Sequence, residues 1–144
     1  MTVAAILRHK GHEIASVSPV ARLPHIVKTL ADRKIGAVLV LDSAQQLLGI
    51  VSERDVVGAL ARDGLTALDM TAAQLMTRSL QTVEPTTTLA EAMARMTEWR
   101  VRHLPVLKDG ELVGLVSIGD VVKARLSEQE QEVDSLKAYV AGSV

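Results

Sequence analysis

Two short stretches of the chain share the same order of hydrophobic and polar positions. Residues 49–57 read GIVSERDVV and residues 114–122 read GLVSIGDVV. In each, an apolar run too short for a helix leads to a serine, and an aspartate follows three residues later, before an apolar pair. This pattern predicts a buried strand that runs into the start of a helix. Because it occurs twice in 144 residues, it indicates a duplicated unit.

The first repeat is predicted over residues 14–62. Leu23, Val27 and Leu30 are apolar residues at spacings of four and three, which predicts one face of a helix. Short apolar runs before and after this helix predict strands. The other elements expected are an extended piece or strand at 16–19, a strand at 37–41, a return strand at 47–51 and a helix from about residue 55 to residue 63.

The second repeat is predicted over residues 80–126, after a linker at 63–79. Leu89, Met93 and Met96 lie 66 positions after the three helix residues of the first repeat. Thr88 and Glu91 have the spacing of a capping box, which marks the helix start. The order β-α-β-β-α is thus expected again, with an extended piece at 82–85, strands at 104–107 and 112–116, and a tight turn at 109–110.

Both ends of the chain lie outside the repeats. Residues 1–13 are a lead-in, with a short helix that closes near Gly11. Residues 127–144 are predicted to extend the last helix, whose apolar positions alternate in spacing between four and three with one polar step. Such a seam suits packing on a partner subunit, although folding back on its own domain remains open. The seam consists of Val122, Leu126, Gln129, Val133, Leu136 and Val140.

Composition excludes several classes of function. The chain is 48% hydrophobic and 23% charged, with a formal net charge of −1, so no global field attracts nucleic acid or an anionic membrane. It lacks cysteine, which excludes disulfides and thiolate chemistry, and Trp99 and Tyr139 are its only aromatic residues. No run approaches the roughly 18 apolar residues of a spanning helix, and no secretion signal is evident. We therefore expect a soluble, cytoplasmic protein that binds neither nucleic acid nor membrane.

The duplicated β-α-β-β-α order, with G-apolar-V-S-x-x-D near the end of each half, resembles the cystathionine-beta-synthase (CBS) domain pair. The resemblance implies an α/β (α+β) fold in which two CBS repeats pack as a pseudo-two-fold pair. It implies that adenosine nucleotides such as AMP, ADP, ATP or NAD bind in two clefts between the repeats. It also implies a regulatory module that forms a homodimer. The two repeats leave no room for an attached enzyme, which predicts a stand-alone module whose regulated partner is unknown.

Ser117 and Asp120 have side chains suited to a nucleotide. A carboxylate can accept hydrogen bonds from ribose hydroxyls, and a serine at a helix start can donate to a phosphate. Because a carboxylate repels a phosphate, cations must offset its charge, and Arg102 and His103 are the candidates. The resemblance also implies phosphate contacts at their position. A plain helix start with serine as N-cap remains an open alternative.

The two predicted clefts differ in charge. The first repeat has Gly36 at the position of Arg102, and it places Arg54 before Asp55 where the second repeat has Gly119. The Asp120 cleft is therefore the better phosphate site, whereas the other would take a ribose through Asp55 and a phosphate through Arg54. By resemblance, each cleft adds backbone from the other repeat, and adenine lies between aliphatic side chains such as Ile35. The predicted members are Ser117, Gly119, Asp120, Arg102, His103, Ala15, Ile35 and Gly36 for one cleft, and Ser52, Arg54, Asp55, Gln81, Val101 and Arg102 for the other.

Two functions from different classes follow from these patterns. The first is a non-enzymatic sensor of adenosine nucleotides, and the alternative is a structural dimerisation module with empty clefts that acts through its last helix. Catalysis has no support, because no serine has a histidine and an acid at a recognisable spacing. No catalytic cofactor and no metal are expected, since His9 and His12 lie three apart without an evident third ligand.

Overall fold

The computed structural model describes residues 1–11 and 13–142, so His12 lies outside the described residues. The chain divides into a first-repeat unit, Glu13–Leu80, and a second-repeat unit that combines residues 1–11 with residues 81–142. The elements are α1 (Val3–Lys10), β1 (Ser16–Val17), α2 (Leu23–Arg33), β2 (Ala37–Leu41), β3 (Leu47–Ser52), α3 (Glu53–Asp63), a 3-10 helix (Gly64–Asp69), α4 (Ala72–Leu75), α5 (Leu89–Trp99), β4 (His103–Lys108), β5 (Glu111–Ser117) and α6 (Ile118–Gly142).

The first-repeat unit is built on a three-stranded sheet in the order β1-β2-β3. β1 pairs parallel to β2, and β2 pairs antiparallel to β3, with Val38 opposite Val51. Ile26 of α2 and Ala59 of α3 are fully buried in the same core as these two valines. This is the strand, helix, hairpin and helix order expected from the sequence, and the mixed α+β fold is confirmed.

The second-repeat unit has a two-stranded antiparallel sheet, β4-β5. The first strand of the repeat shrinks to a single parallel bridge between Val83 and Val106, where the other unit has β1. The lead-in helix α1 packs into this unit, because its Val3, Ile6 and Leu7 join the core cluster that contains Val83 and Val106. The residue boundaries predicted for the two repeats stay predictions.

The buried faces of α2 and α5 differ from those predicted. Val27 and Met93 are 40% and 38% exposed, whereas Ile26 and Ala92 are fully buried. The predicted core positions at 27 and 93 were therefore wrong. In both helices the buried residues are spaced three and then four apart, so only the middle position of the predicted face moves, by one residue toward the N-terminus.

The helix α3 begins at Glu53, two residues before the predicted start. Ser52 is its N-cap, so the serine of the repeated motif, and not the aspartate, marks the boundary. The start of α5 was better marked, because the Thr88 side chain accepts a hydrogen bond from the backbone N–H of Glu91 as expected.

The glycine that opens each repeated motif has a packing role. A Cβ atom at Gly114 would lie 2.5 Å from Leu7 Cδ2, and one at Gly49 would lie 2.7 Å from Met76 Sδ and 2.8 Å from the Thr77 carbonyl oxygen. In each unit, a short helix or the residues directly after it thus pass over a hairpin strand at a distance that admits no side chain.

Within residues 1–11 and 13–142, no helix is both long enough and apolar enough to cross a membrane.

Candidate functional site

The repeated Ser-Asp pair of the first-repeat unit closes a capping box at the start of α3. Asp55 Oδ2 accepts hydrogen bonds from the backbone N–H of Ser52 at 2.8 Å and from its hydroxyl at 3.0 Å. The Ser52 oxygen accepts in turn from the Asp55 N–H at 3.3 Å. Arg54, beside this pair, is exposed. The helix-start alternative therefore describes what Ser52 and Asp55 do in the folded chain.

The second-repeat unit has the same arrangement at the start of α6. Asp120 Oδ2 accepts from the Ser117 N–H at 2.8 Å, and the Ser117 oxygen accepts from the Asp120 N–H at 3.1 Å. Gly119 lies between them, and a Cβ there would be 3.6 Å from Ser117 Oγ, an ordinary contact. The two motifs thus share the reciprocal backbone hydrogen bonds between the serine and the aspartate.

Arg102 and His103 lie next to this motif. His103 of β4 is paired with Ser117 of β5, and the carbonyl oxygen of Arg102 accepts a hydrogen bond from the N–H of Ile118 at 2.8 Å. Arg102 is exposed and His103 is half-buried. The register expected from the sequence thus brings both cation candidates to the end of β5, although their role toward a phosphate stays a prediction.

Lys10 is a cation at this site that sequence reasoning missed. Its Nζ donates to Asp120 Oδ2 at 2.7 Å and to the Leu115 carbonyl oxygen at 2.9 Å. The helix α1 carries Lys10 at its last residue and holds it beside β5, because Leu7 packs over Gly114 one turn earlier. The carboxylate of the motif is therefore neutralised from within the same unit.

The pKa of Asp120 lies below its ordinary value. Burial of the carboxyl group acts to raise the pKa, but the hydrogen bond from Lys10, the hydrogen bond from the Ser117 backbone and the Lys10 charge outweigh it. Asp120 is consequently ionised at neutral pH, as a partner for hydroxyl donors must be.

A cavity of about 360 Å³ adjoins the Lys10–Asp120 pair within the second-repeat unit. Its volume falls in the range of small-ligand pockets. Its lining combines the apolar residues Ala5, Ile6 and Ala124 with polar and charged residues. Besides Met1 and the three apolar residues, the cavity is lined by His9, Lys10, Asp120, Lys123 and Ser127.

The remaining predicted residues contribute backbone positions in the two units. In the first-repeat unit, Ile35 donates its N–H to the Leu30 carbonyl oxygen at 3.1 Å, and the Gly36 carbonyl oxygen accepts from Glu53 at 3.0 Å. Val101 donates in the same way to Met96 at 3.1 Å. The Ala15 carbonyl oxygen accepts from Leu39 at 3.1 Å, and Gln81 is half-buried. Their contribution to a ligand stays a prediction.

No cluster of three or more potential metal-ligating side chains occurs in the part of the chain that the structure describes.

Comparison with known proteins assigns the fold and the repeated motif to one family. The model of the CBS domain matches residues 3–62 and 72–127, so the chain belongs to the CBS domain family. It is a CBS domain pair, as the resemblance predicted, and proteins of this kind are generally regulatory, non-catalytic modules.

Individual relatives cover most of the chain. It is 38% identical over 120 residues to the mitochondrial CBS domain-containing protein CBSX3 of Arabidopsis thaliana. The alignment covers 81% of this chain but only 58% of the length of CBSX3. The solved CBS-domain protein ATU1752 of Agrobacterium tumefaciens matches with a TM-score of 0.84 and 40% identity, over 86% of this chain and 92% of that one. CBSX2, solved in complex with AMP, matches with a TM-score of 0.74 and 28% identity, over 89% and 98%.

Proposed function

We propose that this chain is a non-enzymatic sensor that binds an adenosine ligand carrying phosphate, and that the stronger site is the one at Asp120. The observation that carries the proposal is the cluster of Ser117, Asp120 and Lys10 beside a cavity of ligand size. The AMP complex of the similar protein CBSX2 supports the adenosine class of ligand.

The hydrogen bonds described for Asp120 end on Oδ2. We infer that Oδ1 accepts a hydrogen bond from a ribose hydroxyl, since an ionised carboxylate can accept on both oxygens. The N–H groups of Ile118 and Asp120 already donate to Arg102 and Ser117, so the Ser117 hydroxyl and the Gly119 N–H then face the phosphate, where the helix dipole favours an anion. Arg102 and His103 at the adjoining strand end would add donors. We propose that Ala15, Ile35 and Gly36 also contribute to this site, as the family resemblance implies.

Lys10 makes a phosphate-bearing ligand acceptable to a site that contains a carboxylate. Without a cation, the negative charge of Asp120 would repel the phosphate across the width of a ribose. The ion pair at 2.7 Å removes most of that repulsion before the ligand arrives. Among the described contacts, the Asp55 carboxylate accepts hydrogen bonds only from Ser52. We therefore propose that the Asp55 site binds a ribose through Asp55 and a phosphate through Arg54, and that it binds the phosphate less strongly than the Asp120 site does.

The test is thermal unfolding of the full chain with AMP, ADP, ATP, NAD, adenosine and S-adenosylmethionine. A ligand at 100 times its dissociation constant stabilises the native state by about 2.7 kcal/mol. At this chain length the midpoint should rise by very roughly 5–10 °C. Asp120→Asn is the informative variant, because an amide oxygen can still accept from Ser117 while the negative charge is lost.

Asp55→Asn is the matched control in the other unit. We expect Asp120→Asn to abolish the largest shift and Asp55→Asn to preserve it. The assignment of the ligand to these two carboxylates fails if both variants keep the full thermal shift with every ligand. If Asp55→Asn alone removes the shift, the stronger site is the one at Asp55.

The alternative is an interaction module without a bound nucleotide. The exposed apolar residues along α6, among them Leu126, Val133 and Leu136, favour it. Absence of a thermal shift with all six ligands, together with self-association of the chain in solution, would support this alternative.

A further inference from the structure

The helix α6 carries an apolar seam that continues beyond the residues matched by the CBS model. The helix runs for 25 residues, to Gly142, whereas the family match ends at residue 127. The seam side chains that are apolar, Val122, Leu126, Val133, Leu136 and Val140, are 44% to 63% exposed. An apolar stripe of this length in contact with water calls for a partner.

The seam has the spacing of a coiled coil. Leu126, Val133 and Val140 fall at heptad positions a, and Val122, Gln129 and Leu136 fall at positions d. Val133 and Val140 at a with Leu136 at d form the combination that favours two parallel strands, whereas the first layers place Val122 at d and Leu126 at a. The single polar layer, Gln129, would meet its own copy in a parallel pair, where the two amides can donate and accept between each other. In an antiparallel pair it would face an apolar layer instead.

The charges that flank the seam complement themselves. Over residues 122–140 the g positions are Arg125, Glu132 and Tyr139, and the e positions are Lys123, Glu130 and Lys137. In a parallel, in-register pair each g residue meets the e residue of the next heptad, so Arg125 meets Glu130 and Glu132 meets Lys137. Both contacts join opposite charges on each side of the pair. This complementarity identifies a second copy of the chain as the occupant.

A membrane surface does not fit the same helix. Its polar face after residue 127 carries Glu128, Glu130, Glu132 and Asp134 against Lys137, and an anionic bilayer would repel it.

We propose that α6 of two copies of this chain forms a parallel, in-register, two-stranded coiled coil over residues 122–140. This contact is additional to any interface between the repeats themselves. Because association through another surface would give the same mass, size alone cannot test it. The experiment must report on the helices.

Disulfide cross-linking of the full chain provides that report. The natural chain has no cysteine, so a single introduced thiol gives an unambiguous product. Gln129→Cys places the thiol at a d position, and Gln131→Cys, the matched control, places it at the outer f position. We expect rapid covalent dimerisation of Gln129→Cys and only background for Gln131→Cys under mild oxidation. Equal yields from Gln129→Cys and Gln131→Cys overturn the proposal. So does a mixture of Gln129→Cys and Val133→Cys that cross-links only between positions 129 and 133, because that contact would indicate an antiparallel arrangement.

Charge exchange in the Gln129→Cys background tests the flanking contacts. Glu130→Lys with Glu132→Lys makes all four residues of the two g–e pairs positive, and Arg125→Glu with Lys137→Glu makes all four negative. Each form alone should lose roughly tenfold or more of its cross-linking rate, and a mixture of the two should recover it as a heterodimer. Unchanged rates in both forms, or a mixture without preference for the heterodimer, would refute the parallel pairing.

Discussion

Replacing Lys10 by methionine separates the electrostatic part of the proposed site from its packing part. Methionine keeps most of the length and the apolar stem of lysine but lacks the ammonium group. The variant therefore removes the 2.7 Å ion pair with Asp120 and the 2.9 Å hydrogen bond to the Leu115 carbonyl oxygen. The position of α1 should be preserved, because Val3, Ile6 and Leu7 anchor it in the core.

The effect on stability should be small. The side chains of Lys10 and Asp120 are 38% and 25% exposed, so solvent screens their attraction. We expect a loss of about 1 kcal/mol at neutral pH, which corresponds to a fall of about 3–4 °C in the unfolding midpoint for a chain of this size.

The effect on ligand selectivity should be larger. If the Lys10 nitrogen lies about 7 Å from the phosphate, removal of its charge costs on the order of 0.6 kcal/mol per phosphate charge in water and about four times that near a protein surface. Because Lys10 is 38% exposed, solvent screening keeps the cost toward the lower value. A phosphate with nearly two charges therefore loses about 1–2 kcal/mol, or roughly 5–30-fold in affinity. Adenosine, which has no phosphate, should lose little.

Isothermal titration of the wild type and Lys10→Met with AMP and adenosine measures this ratio. The expected result is a selective loss of AMP affinity that shrinks as salt is added. Equal losses for both ligands would show that Lys10 supports the site through structure alone. An unchanged AMP affinity would refute its role as the cation that offsets Asp120.

Three further predictions concern stability. Because the pKa of Asp120 is lowered, the stability that its ionised form contributes is complete above the ordinary value of 3.8 and is lost as the pH falls through the lower folded value. Acid titration should therefore show that the stability advantage of wild type over Lys10→Met disappears below about pH 4. Gly49→Ala should destabilise by about 1–3 kcal/mol in urea unfolding and Gly114→Ala by less, because the first meets a backbone oxygen and the second a movable leucine methyl, and equal losses would contradict this. Thr88→Ala should cost about 1 kcal/mol by removing the N-cap of α5, and an unchanged urea midpoint would argue against that cap.

Local patterns were sufficient to predict most of the elements. The turn at Asp109 and Gly110 has positive φ angles of 52° and 80° at these two residues, which suits the Asp-Gly sequence. The strands around it extend one residue beyond the predicted ends on each side. Strand and turn positions depend on neighbouring residues, so the sequence alone could indicate them.

The helix faces and the lysine required tertiary information. Ile26 and Val27 are both apolar, and a period of 3.6 residues allows either to complete the face with Leu23 and Leu30, so packing decides which is buried. Lys10 and Asp120 are separated by 110 residues, and no local pattern relates them. The contact exists because the lead-in helix belongs to the unit of the second repeat.

The difference between the two sites comes from the length of a short helix. The sequence of α4 echoes that of α1, and at the same offset Arg78 corresponds to Lys10. However, α4 ends after four residues, and Thr77 pairs with Ile50 in an extended conformation, so the Arg78 guanidinium is directed to the Ala73 carbonyl oxygen at 3.4 Å. In α1 the helix continues for eight residues and delivers its cation to the carboxylate. The duplicated chain thus has two equivalent carboxylates but gives a lysine to one, and for that reason we expect the phosphate-bearing ligand at Asp120.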